Sequence, residues 1–469
     1  MQQKERENQM ERPNAWKQYK KTDMKKVEQT AEAYRRFLDN GKTERECAAQ
    51  AIEMLKKAGY MSLDDAIAQG KKLKPGDRIY VNQMGKAVLA FLIGKKPMET
   101  GMNIVGAHFD SPRLDLKQNP LYEDSDFALA DTHYYGGIKK YQWTARELAL
   151  HGVVVKKDGT VVPVCIGEKE SDPVVGISDL LIHLSQEQMG KKLSESITGE
   201  NLDIMLGGKP LDGEEKDPVK AQILKILKDE YGLEEEDFLS AEIEAVPAGK
   251  ARDFGLDRSM IMAYGHDDRV CAFAELDALL SIKNIPESVC CGMLVDKEEI
   301  GSVGATGMQA HYLENAVAEI LNLMGEYSEL KVRRTLKNSR MLSCDVSAGF
   351  DPLYASAYEK KNAAFLGRGV CYNKFTGSRG KGGSNDANAE YIGRLRKIMD
   401  DNKVCWQTAE LGKVDVGGGG TIAYICALYG MEVIDSGVAV LNMHAPMEII
   451  SKADLFEAVK AYRAFMLEA

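Results

Sequence analysis

The stretch Leu294-Val295-Asp296-Lys297-Glu298-Glu299-Ile300-Gly301-Ser302 decides our prediction of the fold and indicates where a site lies. The apolar run from Cys291 to Val295 predicts a buried strand that opens onto two adjacent carboxylates and a glycine-containing turn. Adjacent side chains at a strand end point in different directions, so one carboxylate can bind a metal while the other acts as a general base. A solvated charged turn is the alternative interpretation of these residues alone.

The length and composition of the chain limit the possible classes of protein. A chain of 469 residues predicts two domains, one of which can interrupt the other. An apolar content of 44% and a charged content of 28% are typical of a soluble globular protein. The formal net charge of −10 argues against a broad nucleic-acid surface, because phosphate binding requires clustered cations.

The cysteines and the hydropathy pattern predict a cytoplasmic protein. The nine cysteines are scattered and form no CxxC pair, which predicts reduced, mostly buried thiols. The first 26 residues are charged and polar, and they lack the apolar core of a signal peptide. No later segment has the apolar length of a membrane span, so we expect no membrane partner.

The pattern of strands and helices predicts a discontinuous domain with an insertion. Apolar runs at 79–81, 87–93 and 102–107 predict strands, and from Met260 strands alternate with helices as in an α/β layer fold. Residues 113–255 have short β-like runs, a helical stretch around 177–186, a charged segment at 209–237 with a helical pattern, and no such alternation. We therefore predict an α/β catalytic domain, residues 1–112 and 256–469, interrupted by a mainly β domain, residues 113–255.

Several predicted strands deliver an oxygen or nitrogen ligand at or just past their ends. In α/β sheets the carboxyl ends of strands form the crevice where sites lie, so these side chains can converge. Mixed histidine and carboxylate ligands suit zinc, and five of them are enough for two ions with one bridging carboxylate. The residues are His108 and Asp110, Asp267, Glu298 and Glu299, Asp345, and His444.

Each of these residues also has a purely structural interpretation. Asp267 could be the N-cap of the helix that follows it, and Asp345 could belong to the turn at Ser347-Ala348-Gly349. A lone histidine such as His444 is more often a hydrogen-bonded core or surface residue than a ligand. The occurrence of all of them together favours a metal site.

The order and spacing of seven motifs give a specific resemblance. They are GAHFDSP (106–112), YYGGIKKYQW (134–143), GHDDR (265–269), VDKEEIGS (295–302), SCDVSAGFDP (343–352), GGGGTIA (417–423) and NMHAPMEI (442–449). After its N-terminal extension the chain resembles the M18 metalloaminopeptidases, the family of aspartyl aminopeptidase and vacuolar aminopeptidase I. The family usually has Thr where Phe109 stands, which is not a ligand position.

The resemblance implies a mixed-sheet αβα zinc-peptidase domain and a role for each matching residue. Glu298 would be the general base, and Asp110 would hydrogen-bond a metal ligand and fix its orientation. His183, in the predicted amphipathic helix, would reach into the active site of a neighbouring subunit of a homo-oligomer, with a dodecamer as the suggested form. The implied ligands of two divalent ions are His108, Asp267 as the bridge, Glu299, Asp345 and His444.

Two glycine-rich loops have no fixed role. The loop at 416–421 lacks the GK[ST] ending of a phosphate loop, so a nucleotide site is improbable. The basic loop at 374–383 is either a solvated loop or a neighbour of the substrate. If the enzyme prefers acidic N-terminal residues, the cations to consider are Lys374, Arg379 and Lys381.

We therefore predict a binuclear-metal aminopeptidase that acts on peptides with a free N-terminus. Zinc is the favoured ion, with cobalt and manganese as alternatives. A different di-metal amidohydrolase or carboxypeptidase-like enzyme is the second hypothesis, and a catalytically inert assembly protein is the third. The sequence does not define the preferred N-terminal residue.

Overall fold

The structure, a computed structural model, describes residues 12–377 and 379–469. These residues fold into two compact units: the first contains the chain up to Asp110, Ala251–Met443 and Glu448–Ala469, and the second contains Ser111–Lys250 and His444–Met447. The second unit begins two residues before the predicted insertion of residues 113–255 and ends five residues before its predicted end. It also includes a four-residue segment from near the end of the chain, which no local sequence pattern indicates.

A nine-stranded mixed sheet forms the centre of the described part of the first unit. Its strands are, in spatial order, Met61–Ser62, Arg78–Gln83, Ala87–Leu92, Val289–Val295, Met102–His108, Arg340–Cys344, Glu432–Gly437, Val370–Asn373 and Trp406–Thr408. Four neighbours in the middle, from Val289–Val295 to Glu432–Gly437, run parallel. Their carboxyl ends therefore meet at one edge of the sheet.

The sheet is covered on both faces, because its central strands are buried throughout. Every residue of Ala87–Leu92, Met102–His108 and Val289–Val295 is buried. Successive side chains of a strand point to opposite faces. Accordingly, Cys290 and Leu294 enter one apolar core, and Cys291 and Met293 enter the other.

Helices cover these two faces. Lys21–Asp39, Glu44–Lys57, His266–Ser281, Ala389–Asp401 and Lys452–Glu468 contribute to the core that contains Leu294. Leu63–Ala68, Tyr312–Leu323, Glu329–Asn338 and Ala423–Ala427 contribute to the core that contains Met293. The first unit also has a five-stranded sheet in the order Arg252–Phe254, Met260–Ala263, Glu448–Ser451, Ala439–Leu441 and Ser347–Ala348.

The second unit contains a six-stranded antiparallel sheet. Its strands are, in spatial order, Val161–Ile166, Leu148–Val155, Ala241–Pro247, Arg113–Asp124, Phe127–Tyr135 and Ile204–Gly207. Its α-helices are Gln186–Gly190, Leu193–Ser196 and Pro218–Tyr231. The predicted α/β class with a mainly β second unit is confirmed.

One predicted helix is wrong. The stretch around 177–186 contains only the 3₁₀ turn Ile182–Leu184 before the short helix Gln186–Gly190 begins. Its apolar side chains from Leu180 onward are exposed in the described chain, so no packed surface stabilises a longer amphipathic helix. In the described part of the chain, no helix combines the length and apolar character needed to cross a membrane.

Candidate metal centre

The carboxyl ends of three neighbouring strands bring most of the predicted site residues together. His108 is the last residue of Met102–His108, and Asp345 follows directly after the parallel neighbour Arg340–Cys344. On the other side, Val289–Val295 is also parallel and leads into the 3₁₀ turn Glu298–Ile300. Lys297 adopts a left-handed backbone conformation (φ 67°), which ends the extended backbone of the strand and begins this turn.

Asp267 reaches the site from the five-stranded sheet. It is the second residue of His266–Ser281, which follows the strand Met260–Ala263. Asp267 and Asp268 have non-helical backbone angles, and the peptide bond between them is cis. The Asp267 amide donates a hydrogen bond of 2.9 Å to Oε2 of the buried Glu448. The ligand candidate is therefore held through its own backbone.

The imidazole of His108 lies at the centre of the acidic side chains. Its Nε2 atom is 3.5 Å from Asp267 Oδ1, 3.9 Å from Glu298 Oε2 and 4.0 Å from Asp345 Oδ1. Two groups of donor atoms, each within 4.8 Å of one another, contain His108 with Glu298 and Asp345, and His108 with Asp267 and Glu299.

These donors fit a divalent cation. Among the described residues, Nε2 of the buried His108 has no hydrogen-bond partner, and carboxylate oxygens surround it at distances longer than a hydrogen bond. A bound cation would satisfy this nitrogen and neutralise the carboxylates. One imidazole with several carboxylates is a donor set that zinc accepts.

The electrostatics of the site agree with this fit. Burial opposes protonation of His108, but the carboxylates of Asp110 and Asp267 outweigh it and raise the pKa of the imidazole well above its ordinary value. Burial, together with the charges of Asp267 and Glu298, raises the pKa of Asp345 well above the ordinary carboxyl value. The site therefore concentrates negative charge in a buried volume, which favours a cation.

Asp110 holds the two adjacent glutamates of the turn. Its Oδ1 accepts the backbone N–H of Glu298 and its Oδ2 accepts that of Glu299, both at 3.1 Å. The Asp110 main-chain carbonyl lies 2.9 Å from His108 Nδ1, so that nitrogen donates and Nε2 faces the acidic groups. One residue thus orients the imidazole and the backbone of both glutamates.

The sequence prediction gave no role to a second group of residues that support the site. His266 is buried, its Nδ1 lies 2.8 Å from the Tyr34 hydroxyl, and its Nε2 lies 3.2 Å from the Ile261 carbonyl. Burial lowers the pKa of His266 to about 3, so the imidazole is neutral, donates from Nε2 and accepts from Tyr34. Both His266 and Glu448 lie in motifs quoted above, but their partners are distant in sequence.

The remaining candidates lie elsewhere. His183 is exposed on the 3₁₀ turn Ile182–Leu184 of the second unit, not on a helix. His444 also belongs to the second unit, where its Nδ1 lies 2.9 Å from the Gly137 carbonyl. Neither group of donors found among the described residues includes His444, and its role as a ligand stays a prediction.

The basic loop is more strongly paired than its composition indicates. Lys374 and Lys381 both form ion pairs with Asp386, and the Lys381 ammonium also lies 3.8 Å from the centre of the Phe375 ring. The backbone N–H of Arg379 donates to the Val414 carbonyl at 2.6 Å. This hydrogen bond joins the basic loop to the segment just before the glycine-rich loop at 416–421. Two of the three cations proposed for acidic substrates therefore already have a carboxylate partner.

Comparison with known proteins shows the family of the chain. Residues 37–466 match the family described as aminopeptidase I zinc metalloprotease (M18). A probable M18 family aminopeptidase 1 of Clostridium acetobutylicum is 59% identical over 454 residues, 97% of each chain.

Two crystal structures share the fold over nearly the whole chain. The M18 family aminopeptidase of Thermotoga maritima has a TM-score of 0.93 at 46% identity and covers 98% of this chain and 100% of its own. Aminopeptidase I of Clostridium acetobutylicum has a TM-score of 0.91 at 56% identity, with 97% and 99% covered. The chain described here is thus a member of the M18 family of zinc metalloaminopeptidases.

Proposed function

We propose that this metalloaminopeptidase removes N-terminal amino acids from peptides with two divalent ions, and that Glu298 is the general base. The observation that carries the proposal is the arrangement around His108 Nε2, where Asp267, Glu298 and Asp345 each place an oxygen within 4.0 Å. Zinc is the favoured ion, because the family is one of zinc metalloproteases and the donors suit it.

The proposed ligands divide between two ions. His108 would hold one of them, Asp267 would be shared by both, and Glu299 and Asp345 would be terminal carboxylate ligands. His444 would complete the second site. Asp110 supports this arrangement, since its carboxylate accepts the amides of Glu298 and Glu299. The metal number and the His444 contact are testable by metal analysis of purified protein and of a His444→Ala variant.

The chemistry follows from the positions of the side chains. When bound, the ions would lower the pKa of a water molecule to about 7 and polarise the scissile carbonyl. Glu298 accepts the proton of the attacking water and returns it to the leaving amine. We assign the second unit, residues 113–255 by sequence, as a lid and dimerisation domain that limits access to peptides with a free N-terminus.

The test of the general base is Glu298→Gln. The amide keeps the size of the side chain but accepts no proton, so we expect turnover to fall by at least about 100-fold. Zinc content should stay near that of the parent protein. Glu287→Gln, at an exposed pair with Lys95, is the control and should leave turnover unchanged. Parental turnover in Glu298→Gln would refute the assignment.

A second measurement tests the exopeptidase assignment. Aminoacyl chromogenic amides should be cleaved, and the same amides with an N-acetyl group should be resistant. Equal cleavage of blocked and unblocked substrates would instead indicate a broader amidohydrolase. A panel of unblocked residues on metal-defined protein would identify the preferred side chain.

We also propose a cytoplasmic homo-oligomer in which His183 reaches a neighbouring subunit. Its surroundings support an interface, because the flanking side chains of Ile182 and Leu184 are 67% and 66% exposed and Met189 is 71% exposed. A dodecamer is the proposed form, and one protein of the same fold at 20% identity, S. cerevisiae mApe1, was solved as a dodecamer. All nine cysteines are free thiols, which fits a reducing compartment.

A further inference from the structure

Arg269 is a completely buried cation beside the candidate metal centre. It follows Asp267 by two residues at the start of His266–Ser281, and its side chain is among the largest fully buried ones, with 1% of the residue exposed. A charged side chain in such a place is costly unless its donors are hydrogen-bonded. The mechanism proposed above uses no function of this residue.

The guanidinium donates to three main-chain carbonyls from different parts of the chain. Nε donates to the Phe109 carbonyl at 3.0 Å, Nη1 to the Gly41 carbonyl at 3.2 Å and Nη2 to the Lys42 carbonyl at 2.8 Å. These oxygens match the planar, rigid fork of a guanidinium. A lysine ammonium is a single point of charge and cannot serve all three from one position.

One of these carbonyls lies within the metal-binding segment. Phe109 stands between His108 and Asp110, and its amide donates to the Val295 carbonyl at 2.8 Å. The backbone at Phe109 is thus fixed by the strand Val289–Val295 through its N–H and by Arg269 through its C=O. The phenyl ring of Phe109 is buried, and its centre lies 6.5 Å from the centre of the Phe37 ring.

Arg269 therefore joins the two sheets that supply the ligand candidates. His108 ends a strand of the nine-stranded sheet, whereas Asp267 follows a strand of the five-stranded sheet. The hydrogen bond from Arg269 to Phe109 connects the backbone next to His108 with the first turn that carries Asp267. The guanidinium also donates to the Gly41 and Lys42 carbonyls, which belong to a third segment of the chain. This segment lies just before the helix Glu44–Lys57 begins.

We propose that Arg269 is a positioning residue that sets the separation between His108 and Asp267 and so determines the affinity of the site for zinc. The proposal rests on the assignment of these two residues as ligands in the proposed function. It does not depend on Glu298 as the base. Metal binding and turnover therefore test the two proposals separately.

The experiment measures zinc affinity of metal-free Arg269→Lys protein by competition with a chromogenic chelator. We expect affinity to fall by about 10- to 100-fold, the usual effect of removing a group that orients a metal ligand. The absorption spectrum of the cobalt(II)-loaded variant should also change, because the ligand geometry changes. With saturating zinc, kcat should fall more than KM rises, since substrate contacts are untouched.

Arg78→Lys is the matched control. The Arg78 guanidinium also donates to two main-chain carbonyls, those of Ala58 at 2.6 Å and Ile282 at 3.3 Å. Ile282 caps the opposite end of the same helix, His266–Ser281. This variant should lose stability but keep zinc affinity and the cobalt spectrum of the parent. Equal losses of affinity in both variants would mean a general stability effect and would overturn the proposal.

A second variant keeps the test decisive if Arg269→Lys folds poorly. A Cβ atom at Gly41 would lie 2.5 Å from Gln50 Nε2, 2.9 Å from Cys47 Sγ and 3.3 Å from the Phe37 carbonyl oxygen, so Gly41→Ala crowds the loop whose carbonyl accepts from Arg269. We expect a smaller loss of zinc affinity in the same direction. In the double variant the two losses should be less than additive. Parental affinity in both single variants, or full additivity, would overturn the proposal.

Discussion

Asp110 is the residue whose replacement should most clearly separate metal binding from folding. Its two carboxylate oxygens accept the amides of Glu298 and Glu299. In Asp110→Asn one oxygen becomes an NH₂ donor that faces an N–H, so one of the two glutamates must move. We expect zinc affinity or kcat to fall by about 10- to 100-fold, measured by chelator competition and steady-state kinetics.

Asp454→Asn is the control for this effect. Asp454, in the first turn of the helix Lys452–Glu468, is also buried. Its carboxylate accepts two main-chain N–H groups, that of Gly367 at 2.7 Å and that of Gly369 at 2.6 Å. The same chemical change there should lower the free energy of unfolding without changing zinc affinity. If Asp454→Asn weakened zinc binding as much as Asp110→Asn, the orienting role of Asp110 would be wrong.

Asp435 should make stability depend on pH. It is buried, its Oδ1 accepts the hydroxyls of Thr421 at 2.6 Å and Ser343 at 3.4 Å, and burial raises its pKa to about 7. Between its unfolded pKa of about 3.9 and this value, the folded state binds a proton that the unfolded state has lost. Its contribution to the free energy of unfolding is therefore full below about pH 4 and decreases as pH rises to about 7.

The measurement compares Asp435→Asn with the parent by denaturant unfolding at several pH values. The variant cannot titrate, so its stability relative to the parent should rise with pH across this window, by at most about 1.4 kcal/mol per pH unit. Above about pH 7 the difference should be constant. A difference that is flat from pH 4 to 7 would show that Asp435 keeps an ordinary pKa in the folded protein.

Single residues of the site were predictable where a motif defined them, and not where a distant partner defines them. His108, Asp110 and Glu298 were assigned roles from motifs that resemble those of the family. Tyr34 and His266 were not, because their hydrogen bond joins positions 232 residues apart. The sequence likewise contains no local sign that Arg269 binds Gly41 and Phe109.

At the scale of elements, the apolar periodicity predicted strands and helices where their apolar faces pack against other parts of the protein. The central strands and the helices that cover them follow their apolar patterns. The stretch around 177–186 has an amphipathic pattern too, but its apolar side chains from Leu180 onward stay exposed and the backbone forms a 3₁₀ turn. A pattern predicts a helix only if something covers its apolar face.

Two glycines within elements should respond in opposite directions to alanine. Gly393 lies in Ala389–Asp401, and a Cβ atom there would meet no atom within 4 Å. Gly393→Ala should therefore raise the free energy of unfolding by about 0.5–1 kcal/mol, because glycine costs that much in a helix. A Cβ atom at Gly437 would lie 1.8 Å from the Asp345 carbonyl oxygen, so Gly437→Ala must displace a ligand candidate.

Denaturant unfolding and chelator competition on both variants test this pair. Gly437→Ala should lose both stability and zinc affinity, whereas Gly393→Ala should gain stability with unchanged affinity. Unchanged zinc affinity in Gly437→Ala would mean that Asp345 tolerates the shift or is not a ligand.

At the scale of the molecule, a group of apolar side chains of the second unit is left uncovered by the described chain. Scattered exposed apolar residues are normal, but a contiguous group usually marks an interface. Leu180, Leu181, Ile182, Leu184, Met189 and Leu193 are each at least 46% exposed within fourteen residues of sequence. A second copy of the chain is the occupant that the proposed role of His183 requires.

The double variant Ile182→Glu/Leu184→Glu should therefore disrupt assembly. Two carboxylates in an apolar contact would have to be buried without partners, which is costly, so the mass measured by light scattering should fall to that of a smaller species. Zinc content should persist, because neither Ile182 nor Leu184 is a proposed ligand and the donors around His108 lie in the first unit. Met84→Glu, at a single exposed apolar residue in a turn, is the control and should keep the parental mass. If the double variant also kept the parental mass, this segment would not be the interface, and His183 could not reach a neighbouring site through it.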